Sequence, residues 1–109
     1  MTLPVRMLPR AESDFGSILA YIEQRSGTGA RSWRDAFESR VALLAQQPLS
    51  GGQAAEDELA EIEIREVFFK THHGLPYRIV YTFLGDEILI LRIRGPGQPP
   101  LAKDEFPPA

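Results

Sequence analysis

The stretch that decides the fold is YRIVYTFLGDEILILRIR, residues 77–94 of a chain of 109 residues. Its two halves, residues 77–84 and 87–94, are rich in the aromatic and β-branched side chains that favour strands. Gly85 and Asp86 between them form a two-residue signal for a tight hairpin turn. Both predicted strands carry apolar side chains on both faces near their middle. We therefore expect the hairpin to lie in the centre of a sheet that is covered on at least one side.

Continuous pairing outward from the turn assigns every side chain of the hairpin to a face, because opposed residues of an antiparallel pair share a face. One predicted face carries Tyr77, Ile79, Tyr81, Phe83, Ile88, Ile90, Arg92 and Arg94. The other carries Arg78, Val80, Thr82, Leu84, Glu87, Leu89, Leu91 and Ile93. A slip of one residue would exchange the faces of one strand. In either register three arginines gather at the end of the hairpin far from the turn.

These arginines, Arg78, Arg92 and Arg94, are candidates for contact with an anion or a target, because guanidinium groups bind phosphates and carboxylates in a bidentate manner. Lys70, at the end of the preceding predicted strand, is a fourth candidate. The alternative is structural: the arginines cover the edge of the sheet or pair with acidic side chains such as Glu63 and Glu66. The pattern alone favours the structural interpretation, since charged rims on sheets are common.

Two amphipathic helices are predicted before the hairpin. Pro9 suits the first position of a helix, and Glu12 and Asp14 follow near the positive end of its dipole. Apolar side chains then recur at helical spacing, at Ala11, Phe15, Ile18, Leu19 and Ile22. Gly27 is the predicted stop. The second helix is expected over about 29–47, with an apolar stripe at Ala30, Trp33, Phe37, Val41 and Leu44 and with Pro48 as its end.

Two further strands complete the predicted sheet. Residues 2–8 alternate apolar and polar side chains, and the proline among them favours an edge position. Residues 62–70 also predict a strand, in which the apolar alternation changes phase between Ile64 and Val67 and indicates a bulge near 65–66. The acidic residues 53–60 before it are expected to form a loop or a short helical turn.

The composition changes after Gly95. Five of the nine prolines fall at the C-terminal end of the chain, at Pro96, Pro99, Pro100, Pro107 and Pro108. Such a segment cannot extend a sheet, so we expect polyproline II or disorder there. The predicted organisation is one domain over residues 1–95 and a proline-rich tail over residues 96–109.

Composition excludes several classes of function. The chain has no cysteine, which excludes disulfides, thiolate metal sites and cysteine nucleophiles. No apolar run approaches the ~20 residues that cross a bilayer, and we expect a cytoplasmic protein. The net charge is −3, and residues 53–66 carry six acids against one base, so direct binding of nucleic acid is not expected. No glycine-rich phosphate loop, nucleophile elbow or zinc spacing is present, and no cofactor or metal is predicted.

Three other features have a structural and a functional interpretation. His72 and His73 could act as acids or bases, but in a predicted glycine-containing loop such a pair is more often only solvated. Phe68 and Phe69 point to opposite sides of their strand, so one is expected in the core and the other on an exposed partner surface. Trp33 is expected in the core.

The order of the elements and several residues together resemble the ParE/RelE toxin superfamily of bacterial toxin–antitoxin modules, in particular the ParE branch of plasmid-stabilisation toxins. The resemblance covers about residues 3–95. It is carried by Pro9-Arg10-Ala11-Glu12-Ser13-Asp14-Phe15, Tyr21-Ile22, Leu44 with Pro48 and Gly51, Arg65-Glu66-Val67, Tyr77-Arg78-Ile79-Val80-Tyr81 and Ile88-Leu89-Ile90-Leu91-Arg92-Ile93.

The resemblance implies an α+β fold of order β-α-α-β-β-β, with a helical hairpin on a mainly antiparallel sheet, and an antitoxin partner. It leaves two activities: ParE-like binding to DNA gyrase, or RelE-like cleavage of ribosome-bound messenger RNA. Arg78 matches the arginine that contacts the scissile phosphate in the nuclease branch, and it is the candidate catalytic residue if the protein is a nuclease. The residues after the last strand, Gly95-Pro96-Gly97-Gln98, offer no acid or base. We therefore expect a gyrase-binding toxin, with a nuclease or an inactive toxin-like interaction domain as alternatives.

Overall fold

A computed structural model describes residues 2–59, 62–102 and 105. Along the chain they form β1 (Val5–Met7), α1 (Pro9–Glu23), α2 (Gly27–Gln46), β2 (Gly52–Gln53), a 3₁₀ turn (Ala55–Leu59), β3 (Arg65–Phe69), β4 (Tyr77–Leu84) and β5 (Glu87–Arg94). The strands make one sheet in the order β1-β5-β4-β3-β2, in which only β1 pairs in parallel. The predicted α+β fold, a helical hairpin on a mainly antiparallel sheet, is confirmed.

The turn of the helical hairpin lies earlier in the chain than the sequence predicts. Gly27 is not the stop of α1 but the first residue of α2, and α1 ends at Glu23. The reason is Ser26, whose hydroxyl accepts a hydrogen bond of 2.9 Å from the backbone N–H of Gly29 and so caps α2. Only three residues then connect the helices, and α1 packs directly against α2.

The first strand lies at the edge of the sheet, as its proline predicts. It is shorter than expected and joins β5 in parallel, with Val5 opposite Ile88. The backbone N–H of Ile88 donates to the carbonyl oxygen of Pro4 at 2.9 Å, and that of Leu8 donates to Ile90 at 3.0 Å. Proline therefore stands just before the strand, where it contributes its carbonyl oxygen and needs no N–H.

The bulge lies in β5 and not in β3, so two predictions are wrong. Strand β3 pairs with β4 residue by residue. In the central hairpin Val80 faces Arg92 while Tyr81 faces Ile90, which leaves Leu91 as the extra residue. The bulge moves Arg92 and Arg94 onto the face of Arg78. Its physical reason is packing, because it sends Ile93 into the core and keeps two guanidinium groups out of it.

Each face of the sheet has its own core. The side that packs on α1 and α2, which we call the helix face, buries Ala11, Trp33, Phe37, Leu44, Val67, Phe69, Ile79, Tyr81, Ile88, Ile90 and Ile93. The opposite side, the tail face, buries Ala54, Ile64, Val80, Leu89, Leu91 and Leu101. Leu101 belongs to the proline-rich tail, so part of that tail packs on the sheet. No helix in the described part of the chain is long and apolar enough to cross a membrane.

Candidate functional site

The tail face brings together the three arginines that the sequence singles out. Arg78 and Arg94 are direct cross-strand partners, and Arg92 lies on the same face, opposite Val80. The two strands are central in the sheet and hold these positions firmly. The arginines form a row next to the apolar patch of Val80 and Leu91. The structure therefore groups the three arginines as predicted, although the predicted register of the hairpin was wrong.

Arg78 is held by two carboxylates. Its Nη1 and Nη2 donate to Oε1 and Oε2 of Glu56 at 2.8 and 2.6 Å, which is the bidentate geometry that arginine prefers. Nη1 also donates to Glu66 at 3.1 Å. These hydrogen bonds, with that of Glu56 the strongest, raise the pKa of Arg78. The structural interpretation thus holds for Arg78, with Glu66 as one predicted partner and Glu56 as one the sequence did not reveal.

Glu56 is the least expected member of the site because its side chain is 0% exposed. The 3₁₀ turn carries it over the tail face, where it also accepts the backbone N–H of Leu101 at 3.0 Å. Burial alone would raise the pKa of the Glu56 carboxyl, but the hydrogen bonds and positive charge of Arg78 and the N–H of Leu101 outweigh it and lower the pKa to about 2. The site therefore holds a charged carboxylate at any physiological pH.

Arg92 joins α1 to the sheet. It donates to Oδ2 and Oδ1 of Asp14 at 2.7 and 3.0 Å, and the backbone N–H of Ile93 donates to the same carboxylate at 2.9 Å. Glu105 of the tail forms a second ion pair with Arg92. The hydrogen bonds to Asp14 are the main reason that the pKa of Arg92 is raised. Asp14 was predicted only as a helix-dipole partner, yet it lies in the apolar stripe of α1, three residues after Ala11, where an acid needs a partner.

Arg94 is the arginine with the weakest anchoring. Its Nη2 donates to the carbonyl oxygen of Pro99 at 2.9 Å, and its buried Nε has no acceptor among the described residues. Lys70 lies just beyond β3, is exposed, and forms no ion pair with the described part of the chain. Within the described ranges, Lys70 is not joined to the arginine row by a shared carboxylate. Glu63 binds Arg65 at 2.9 Å and none of the three candidate arginines.

Several residues that carry the family resemblance meet at the opposite end of the sheet. The hydroxyl of Tyr81 donates to the carbonyl oxygen of Pro48 at 3.1 Å and accepts from Nε of Arg65 at 3.4 Å. Gly51 packs so closely that a Cβ there would lie 2.4 Å from the Tyr81 hydroxyl oxygen. Only glycine fits this approach. These residues fasten the end of α2 to the sheet, so their role is structural.

The sequence profile of one protein family, described as the ParE toxin of type II toxin-antitoxin system, parDE, matches residues 5–98 of this chain. This match covers most of the chain. The chain belongs to the ParE toxin family. A comparison with curated proteins gives no match. The match includes all three arginines and ends at Gln98, so Leu101 and Glu105, which cover the tail face, lie outside it.

The histidines of this ParE-family chain do not form a site with the arginines. His72 and His73 are both exposed, with ring centroids 4.4 Å apart, in the loop between β3 and β4. Within the described ranges, no group of three or more histidine and acidic side chains is placed to hold a metal ion. On the described part of the tail face, Arg78 and Arg92 bind carboxylates.

A second candidate surface of this ParE-family chain lies where α1 meets the open end of the central hairpin. Two adjoining cavities of about 290 and 400 Å³ share Tyr77 and Pro96 in their walls. Tyr21 and Leu75 on their rims are 56% and 68% exposed. Trp33 lines one cavity, and its buried Nε1 has no acceptor within the described residues. Such an apolar groove is typical of a surface that binds a peptide segment.

Proposed function

We propose that this protein is the toxin of a type II toxin–antitoxin module, that it acts in the bacterial cytoplasm by binding DNA gyrase, and that a cognate antitoxin neutralises it. Membership of the ParE family supports the toxin assignment. Binding without RNA cleavage is supported by the state of one side chain, Arg78.

The bidentate pair of Arg78 and Glu56 is the observation that carries the proposal. The family resemblance implies that the matching arginine of the nuclease branch contacts the scissile phosphate. Here a phosphate that approached Arg78 would meet the carboxylates of Glu56 and Glu66, at 2.6 and 3.1 Å from the guanidinium. Breaking a buried pair in this way leaves an uncompensated charge and costs roughly 3–5 kcal/mol. Arg78 is thus a stabilising residue and a poor ligand for RNA.

The end of β5 supports the same conclusion. Residues Gly95 to Gln98 follow Arg94 and include no acidic, basic or phenolic side chain. The side chain of Gln98 accepts a hydrogen bond from the backbone N–H of Gly95 and closes a turn. Gly97 adopts a φ of +80°, which a side chain would strain. RNA cleavage by proton transfer needs an acid or base near the phosphate, and this turn provides none.

The groove beside Tyr77 and Pro96 is our proposed contact for the antitoxin. An apolar helix or strand could fill it and pack against Tyr21, Leu75 and Tyr77. We expect Tyr21→Ala and Leu75→Ala each to weaken antitoxin binding about tenfold, a loss of about 1.4 kcal/mol. Leu84→Ala is the matched control, because Leu84 is equally exposed but lies at the distant hairpin turn. Binding of the adjacent gene's product, measured by calorimetry, tests both.

Two assays on the full chain decide between the activities. We expect the purified protein to inhibit DNA supercoiling by gyrase, and induced cells to form filaments with intact transcripts. Addition of the adjacent gene's product should restore supercoiling. Transcripts cut at ribosomal A sites would contradict the proposal and favour the nuclease. If neither gyrase nor transcripts are affected, the protein is an interaction domain without toxicity.

A further inference from the structure

The cover of the tail face consists of chain segments outside any regular strand or helix of the sheet domain. Residues 99–102 and Glu105, which we call the tail segment, lie on the face together with the 3₁₀ turn. Leu101 is 2% exposed and packs with Val80, Leu89 and Leu91. Its N–H donates to Glu56, and Glu105 pairs with Arg92. The tail segment therefore combines one buried leucine with one carboxylate.

The arginines beneath keep partners that do not depend on the tail segment. Arg92 retains the bidentate contact to Asp14, and Arg78 retains both Glu56 and Glu66. Only Arg94 would lose its recorded acceptor, the carbonyl oxygen of Pro99. Removal of the tail segment thus leaves Arg78 and Arg92 paired with carboxylates. The free-energy cost of an unpaired buried charge is therefore avoided.

The backbone of the tail segment also makes few hydrogen bonds to the domain. Residues 99–102 have no strand pairing. Among the described residues, the polar contacts of the segment with the domain are the ion pair of Glu105 with Arg92, the hydrogen bond from the Leu101 N–H to Glu56 and the hydrogen bond from Arg94 to the Pro99 carbonyl oxygen. Local openings begin where few backbone hydrogen bonds and few buried side chains resist them. Lifting the segment would expose an apolar patch bordered by Arg92 and Arg94.

We propose that the tail face is a binding surface for a protein segment that presents a leucine-sized apolar side chain next to a carboxylate, and that the tail segment is its built-in competitor. The chemistry of the partner is that of the tail segment itself: the apolar group replaces Leu101, and the carboxylate replaces Glu105 on Arg92. This inference does not depend on which cellular target the toxin has. A failure of gyrase inhibition would leave it unaffected.

The first test measures the hydrogen exchange of backbone N–H groups in the unaltered full chain, with NMR as the detection method. We expect the N–H of Leu101 to be protected about 100-fold less than the N–H groups in the centre of β4 and β5, because local opening releases it without unfolding the sheet. Equal protection of Leu101 and the central strands would overturn the proposal, since the tail segment would then leave only when the whole domain unfolds.

The second test measures binding of a fluorescent peptide, QPPLAKDEFPPA, which is residues 98–109 of this chain. We compare the full-length protein with its Leu101→Ala/Glu105→Gln variant, in which the competitor is weakened. The peptide should bind this variant about tenfold more tightly than the unaltered protein, and added salt should weaken the binding. A Leu84→Ala/Glu87→Gln variant is the matched control and should behave as the unaltered protein does.

Two controls keep the second test decisive. A peptide with the same Leu101→Ala and Glu105→Gln changes should not bind. If circular dichroism shows that the double variant of the protein is unfolded, the single variant Glu105→Gln replaces it. Equal affinity of the peptide for all three proteins would overturn the proposal. So would displacement of the peptide by a single-stranded oligonucleotide at equal concentration, because the face would then select phosphates and not an acidic protein segment.

Discussion

The helix face and the tail face of the same sheet both bury apolar side chains, but different interactions hold their covers in place. On the helix face the ring of Trp33 packs with its centroid 5.3–6.1 Å from those of four aromatic rings, Phe15, Phe37, Phe69 and Tyr77. On the tail face aliphatic side chains share the interface with three arginines and their carboxylates. The helices α1 and α2 cover the helix face, whereas the 3₁₀ turn and the tail segment cover the tail face.

The difference separates the stable part of the domain from the part that can respond to a partner. The apolar packing of the helix face gains free energy in proportion to the buried area and depends on the close fit of many side chains. An ion pair can be exchanged when another carboxylate replaces the one that is present, because the arginine is then not left unpaired. We therefore assign folding stability mainly to the helix face and exchangeable contacts to the tail face.

The largest effect is expected from Trp33→Ala on the helix face. Removal of a buried indole leaves a large cavity, and such changes cost about 3–5 kcal/mol. We expect a loss of about 4 kcal/mol in the free energy of unfolding, measured by urea denaturation followed by circular dichroism. Leu49→Ala at an exposed site is the control and should change it by less than about 0.5 kcal/mol. A loss below about 2 kcal/mol for Trp33→Ala would contradict the ranking of the two faces.

The next effect concerns the pair that fastens the tail face. Glu56→Ala leaves Arg78 without its bidentate partner, and we expect a loss of about 3 kcal/mol in the free energy of unfolding. The exposed pair of Arg6 and Glu87 gives the control, because Glu87→Ala should cost at most about 1 kcal/mol. In a Glu56→Leu/Arg78→Met double variant much of the loss should be recovered, since an apolar pair needs no charge compensation. Without such recovery, the loss would come from packing and not from an unpaired charge.

Acid should weaken the tail face selectively. The pKa of Glu56 is lowered from the ordinary 4.5 to about 2, so the stability it contributes is complete above pH 4.5 and is lost as the pH falls towards 2. At about 1.4 kcal/mol for each pKa unit, the full loss approaches about 3 kcal/mol. Urea denaturation at pH 5 and pH 2.5 measures it. The Glu56→Gln variant cannot titrate at this position and should lose less stability over the same pH range. Some loss should remain in it, because the pKa of Glu105 is also lowered, by the N–H of Ala102 and by Arg92. An identical loss in both proteins would show that Glu56 is not the group responsible.

The two faces also differ in how well the sequence predicts them. The helical spacing of apolar residues and their alternation along the strands identified the helix face, including Trp33 and the hairpin. This works because the buried side of a helix or strand carries apolar residues at the period of that element. Alternation could not locate the bulge at Leu91, since both faces are apolar there and a shift of one residue leaves the pattern unchanged. The pairs on the tail face join Arg78 to Glu56, and Arg92 to Asp14 from the first helix. Such long-range ion pairs leave no local period, although an acid within an apolar helical stripe, such as Asp14, is a usable signal.

The smallest effect on stability is expected at Phe68, and its neighbour Phe69 gives the closest comparison of the two faces. They have the same side chain in the same strand, but Phe69 is 6% exposed on the helix face and Phe68 is 53% exposed beside Arg78. We expect Phe69→Ala to cost about 3 kcal/mol and Phe68→Ala less than about 0.5 kcal/mol, measured by urea denaturation. If Phe68→Ala lowers binding of the tail peptide to the weakened-tail variant while stability is unchanged, the tail face extends as a binding surface to the end of β3. Unchanged binding would limit that surface to β4 and β5.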